Sequence, residues 1–132
     1  MIAKKKLIGK VITPGDVNVW PHEDRTAKAL AKAGYVVEFI RKSNRERETS
    51  ADVYINGEKW EMKAPNGSSL KLVEKNLRRA LKQAGNIIFD SRRVKQIPDA
   101  AIQRELTKWS FAIKGVSKVK FVNRYGEVID IK

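Results

Sequence analysis

Ala51-Asp-Val-Tyr-Ile-Asn-Gly-Glu-Lys-Trp-Glu-Met-Lys63 is the stretch whose reading decides the fold. Asn-Gly between two short alternating apolar runs is a strong hairpin signal, because both central residues of a type I′ turn need positive φ. With Asn56 and Gly57 at the centre, counting outward pairs Ile55 with Glu58, Tyr54 with Lys59, Val53 with Trp60, and Asp52 with Glu61. Side chains alternate along a strand, so Asp52, Glu61 and Lys63 share one face. Ala51, Val53, Trp60 and Met62 share the other, which reads as the core side. Two carboxylates directly opposite, with Cβ atoms roughly 4.5–5.5 Å apart, repel unless a cation compensates them. Lys63 supplies part of that compensation, and a divalent metal would supply the rest, since hard cations take carboxylate oxygens. The competing reading is a solvated hairpin face carrying a surface Lys–Glu pair.

Asp52 followed, after a hairpin, by Glu61-Met62-Lys63 resembles the PD-(D/E)XK nuclease signature. The chain around it sets the context. Pro21 opens a helix with an acidic first turn, His22-Glu23-Asp24, and Gly34 ends it. Tyr35–Ile40 reads as a strand and residues 41–50 as a charged loop. Ala64–Ser69 is a turn ending in a serine N-cap. Leu70, Val73, Leu77, Leu81 and Ala84 recur at helical spacing up to Gly85, and Asn86–Asp90 reads as a buried strand. Pro98 opens a third helix with Ile102, Leu106, Trp109 and Ile113 on one face. Lys118–Val122 and Glu127–Ile131 are two strands joined at Asn123–Gly126. The expected class is therefore α/β with a mixed sheet (α+β). Its expected order is α-β-β-β-α-β followed by α-β-β, and the first part is the order of a PD-(D/E)XK, restriction-endonuclease-like core.

The composition narrows the partners. The chain has 132 residues, 28 Lys+Arg against 15 Asp+Glu, a net charge of +13, and no cysteine. That length suits one domain spanning residues 1–132, with residues 1–16 as a basic N-terminal arm or short strand. The absence of cysteine excludes disulfides, thiolate metal sites and cysteine nucleophiles. The charge points to nucleic acid first and to an anionic membrane surface, through Lys4–Lys6, second. No apolar run approaches a membrane span, and no apolar run follows Met1–Lys6 to make a secretory signal; the expected site of action is cytoplasmic. His22 is the only histidine, which excludes a ribonuclease built on a histidine pair.

The resemblance narrows further on Val17-Asn-Val-Trp-Pro-His-Glu-Asp-Arg-Thr-Ala-Lys-Ala-Leu30, Trp60-Glu-Met-Lys-Ala-Pro65, Asn76-Leu-Arg-Arg-Ala-Leu-Lys-Gln83 and Asn86-Ile-Ile88. These segments are similar to the CdiA C-terminal tRNA nuclease domains of contact-dependent growth inhibition systems, and the likeness covers most of residues 7–132. It implies a metal-dependent endonuclease acting on tRNA, neutralised by a cognate immunity protein. By position in the superfamily, Glu23 on the first helix joins Asp52 and Glu61 as a metal ligand, with Asp24 its nearest competitor. Magnesium is the expected ion, with manganese or zinc as alternatives. By the same resemblance, Lys63 orients the attacking water or neutralises the pentacovalent phosphate.

On the helix over 70–84, Asn76, Arg79 and Gln83 share a face at i, i+3 and i+7. An amide and a guanidinium there suit a phosphate, as does Lys71 on the same basic helix. Arg92 and Arg93, just after the buried strand, are candidate backbone contacts. The alternatives are a DNA endonuclease of the same fold and a non-catalytic basic nucleic-acid-binding module of a mobile-element protein.

Overall fold

The computed structural model describes residues 9–41 and 52–132. The Lys4–Lys6 cluster, residues 42–50 of the charged loop and Ala51 lie outside the described residues. The elements run β1 (Lys10–Ile12), α1 (Pro21–Lys32), β2 (Val36–Phe39), β3 (Val53–Ile55), β4 (Glu58–Lys63), α2 (Lys71–Leu81), β5 (Asn86–Asp90), α3 (Asp99–Ala112), β6 (Lys118–Val122) and β7 (Val128–Asp130).

The seven strands form one mixed sheet in chain order. β1 and β2 are parallel, β2–β3–β4 is an antiparallel meander, β4, β5 and β6 are parallel, and β7 returns antiparallel. Each parallel step is spanned by a helix, as a crossover requires. Two apolar clusters follow from this. Ala27 and Leu30 of α1 pack with Val37, Phe39, Val53, Trp60, Met62 and Ile88. Val73 and Leu77 of α2 and Ile102 and Leu106 of α3 pack with Ile87, Phe89, Val119 and Phe121. The alternation along β5 divides the clusters: Ile88 belongs to the first and Ile87 and Phe89 to the second.

The Asn-Gly hairpin has the register expected of it: Val53 pairs Trp60, Tyr54 pairs Lys59 and Ile55 pairs Glu58. Asn56 and Gly57 take φ of 48° and 88°, as a type I′ turn needs. The ladder differs one residue further out. Asp52 lies just before the first residue of β3, where its N–H donates to the Trp60 carbonyl at 3.2 Å and its own carbonyl accepts from Ile40 N–H at 3.1 Å. The bend between these two bonds takes Asp52 out of simple opposition to Glu61.

The helix ends also differ in detail. Gly34 follows α1 with φ 104°, the left-handed stop that the sequence announces. α2 starts one residue later than the apolar spacing suggests: Leu70 is its N-cap and is 37% exposed, outside the buried stripe. Ser69 still serves the helix start, its Oγ accepting from Lys71 N–H at 3.3 Å. In the segment before α1, Val17 and Val19 pack against the α1 cluster.

Candidate active site

A cavity of about 310 Å³ opens where the first turns of α1, the end of β4 and the middle of α2 meet. Its walls include His22, Glu23 and Thr26 from α1, Asp52 before β3, Glu61 and Lys63 on β4, and Asn76 on α2. Strand alternation places Glu61 and Lys63 on the same face of β4, and Lys63 Nζ lies 3.4 Å from Glu61 Oε2. Between them Met62 turns into the α1 cluster. Asp52 reaches the site by its own route: its Oδ2 accepts the Met62 N–H at 3.0 Å, which clamps it to β4.

Glu61 is the unusual member. It is only 6% exposed, and its Oε1 has no hydrogen-bond partner. Leaving a buried acceptor unpaired costs about 1–3 kcal/mol, more for a charged group, so native structures rarely do so without a reason. Burial, then the Asp52 carboxylate beside it, raises the Glu61 pKa to about 8, with Lys63 opposing the rise. Without a further cation, Glu61 therefore carries a proton at neutral pH. A cation between the two acids would reverse both causes at once.

The donor set fits one hard divalent ion that completes its shell with water and phosphate oxygens, as magnesium commonly does. Glu23 stands apart from this pair. It lines the cavity, but its Oε1 accepts the Trp20 N–H at 2.9 Å and so serves the helix start. Among the described residues, no three carboxylate, histidine or cysteine side chains converge on one ion position. Asp24 is spent on a surface pair with Lys28 at 2.8 Å.

The other sequence candidates separate. Asn76 faces the cavity, held by a hydrogen bond from its Nδ2 to the Leu72 carbonyl at 2.7 Å. Lys71 and Arg79 are exposed on α2 outside the cavity, and Gln83 is half-buried near the helix end. Arg92 binds Asp90 Oδ2 at 2.8 Å and the Arg25 carbonyl at 3.0 Å. Arg93 donates to the Ala64 carbonyl at 2.9 Å and so pins the loop after β4. Both guanidinium groups thus have structural partners.

Sequence reasoning missed Thr26 and Asp90. The Thr26 hydroxyl donates to Asp90 Oδ2 at 2.6 Å, joining α1 to the end of β5 beneath the site. An aspartate closing an apolar strand and followed by Ser-Arg-Arg was the available signal. A helical threonine gives none.

The chain is a basic mixed-sheet α/β domain whose cleft brings together a buried glutamate, a half-buried aspartate and an attendant lysine. The model of the contact-dependent growth inhibition CdiA C-terminal domain matches residues 49–128, and the chain belongs to that family. The fold is similar to that of a chain of the CdiA-CT/CdiI toxin and immunity complex from Burkholderia pseudomallei. There the TM-score is 0.72 at 20% identity, with 93% of this chain and 99% of that chain covered. No curated protein matches the sequence. Among the described residues, no helix is long and apolar enough to cross a membrane.

Proposed function

We propose that this chain is a metal-dependent endonuclease that hydrolyses phosphodiester bonds in RNA, with tRNA as the favoured substrate. It acts as the toxin of a contact-dependent system in the cytoplasm of a target cell, where a cognate immunity protein restrains it. The observation that carries this reading is Glu61: a buried carboxyl group with an orphaned oxygen and a raised pKa, beside Asp52 and Lys63 in an open cavity. Perturbed titratable groups that gather in a cleft are the usual mark of a reacting site. The fold is read as a PD-(D/E)XK core, with Asp52 and Glu61-Met62-Lys63 as its motif. The preference for tRNA comes from the family resemblance.

Each residue then has a task. Asp52 and Glu61 would hold a cation, and the clamp from Met62 keeps Asp52 in place. A bound divalent ion would supply Lewis-acid polarisation of a phosphoryl oxygen and acidify water. Lys63 places its ammonium where charge accumulates on the pentacovalent phosphate, or orients the attacking water. Asn76 offers an amide to the same cavity. Glu23, whose Oε1 is engaged by the Trp20 N–H, would join as a third acidic ligand through its other oxygen. The positive surface, at a net +13, collects the polyanion.

The test is incubation of total tRNA and plasmid DNA with wild-type, Glu61→Gln and Lys63→Ala protein, in magnesium or in chelator. Cleavage of tRNA that needs both the ion and Glu61 is expected. Cleavage that survives chelation removes the metal from the mechanism. Cleavage of the plasmid in preference to tRNA selects the DNA endonuclease reading. A substrate left intact by every protein leaves the non-catalytic basic module.

A further inference from the structure

A second cavity, of about 280 Å³, adjoins the first, and His22 and Ala64 line both. Its other walls include Pro21, Arg25, Arg92 and Arg93. The charge of Arg92 is met by Asp90, whereas Arg93 donates to the Ala64 carbonyl and has no carboxylate partner among the described residues. Arg25 is exposed, and its guanidinium has no partner among the described residues. The cavity is therefore positive beside an acidic one. Its walls are also preorganised, because both Arg92 and Arg93 are held in place by backbone carbonyls. Trp20 comes immediately before Pro21 and is 68% exposed, an unusual position for a large ring with no core to fill.

We propose that this second cavity holds the nucleotide next to the cleaved phosphodiester, splayed out of its stack. Its phosphate lies on Arg25 and Arg93, and its base packs against Pro21 and Trp20. The substrate must then be unpaired at that position. This rests on the nuclease reading of the neighbouring cavity. A single-stranded polyanion is recognised by cations that track its backbone and by rings that take its bases. Bases that are unpaired can be splayed out of the stack and taken up one at a time in such a concavity.

The test measures binding separately from cleavage. Glu61→Gln protein is titrated with a labelled single-stranded oligoribonucleotide, and with the same strand in a duplex, by fluorescence anisotropy at fixed salt. Adding Trp20→Ala or Arg25→Ala is expected to weaken single-strand binding by about tenfold, the usual scale of one lost stacking or charge contact. Trp20→Ala is expected to leave duplex binding unchanged. Both side chains are exposed, so circular dichroism is expected to match the parent.

Unchanged single-strand affinity in both variants overturns the subsite, as does an equal loss on duplex and single strand. If Glu61→Gln abolishes cleavage while the two variants bind like their parent, the subsite alone fails. If Glu61→Gln cuts like wild type, the nuclease reading fails, and the anisotropy result still decides whether a nucleotide sits here.

Discussion

The backbone N–H of Met62 donates to Asp52 Oδ2 at 3.0 Å, tying an acid that lies outside the ladder to the strand that carries its two partners. Met62 itself is buried in the α1 cluster. The position of Asp52 is thus tied to a strand residue whose side chain lies in the core. Asp52→Asn keeps an oxygen for that bond and loses only the charge, whereas Asp52→Ala also frees the bend.

The raised pKa of Glu61 makes stability depend on pH in a definite direction. Below its unfolded value of about 4.5 the group is protonated in both states. Between there and about 8 the unfolded chain releases the proton while the native protein keeps it, so this contribution declines and is gone above about 8. Thermal melts in chelator are expected to show stability falling through this window in wild type and not in Glu61→Gln. Parallel pH profiles for the two proteins would rule out the titration.

Binding of a divalent ion near neutral pH should expel the proton that Glu61 holds. Titration calorimetry in buffers of different ionisation heat is expected to report about one proton released, since a ligating carboxylate must be deprotonated. The release should vanish in Glu61→Gln. At an ion concentration about a hundredfold above Kd, the native state gains about 2.7 kcal/mol, which a melt reads directly. An ion that binds wild type without proton release would place the metal elsewhere.

Asp90 accepts from the Thr26 hydroxyl and binds Arg92 while only 3% exposed. Asp90→Ala leaves the largely buried Arg92 guanidinium without its counter-charge, and is expected to cost about 3–5 kcal/mol in urea unfolding. Because the same network carries α1 onto β5, cleavage should fall as well. A loss below about 1 kcal/mol would mean that solvent already serves Arg92.

Lys120 offers the contrasting case. Its ammonium meets Asp130 at 2.6 Å and the Tyr35 hydroxyl at 2.9 Å, and lies 5.3 Å from the centre of the Trp60 ring. Asp130 is largely exposed and can return to water when its partner is removed. Lys120→Met therefore keeps the buried stem and is expected to change stability by less than about 1.5 kcal/mol. Lys120→Ala should cost about 2–5 kcal/mol, since it empties packed space. Equal losses in the two variants would assign the stability to the charge and not to the stem.

Much of the frame was legible in the residues themselves. Asn56-Gly57 set the hairpin register, Pro21 and Gly34 bracketed α1, and Val73 and Leu77 marked the buried face of α2. Glu61 and Lys63 were brought together because residues two apart on a strand must share a face. The rest of the site was less legible. Leu70 fitted the apolar spacing yet caps the helix, and Arg92 looked like a free cation yet is spent on Asp90.

Local chemistry, written in the chain, determined which segments turn, coil or extend, and which side chains of one strand stand together. Only the tertiary structure decided how those side chains behave. Glu61 is buried because the sheet and helices close around it, Asp52 leaves its expected place because the chain bends just before β3, and Thr26 meets Asp90 across 64 positions of sequence. Burial and proximity between distant segments set pKa values and spend or spare charges, and no local pattern encodes them.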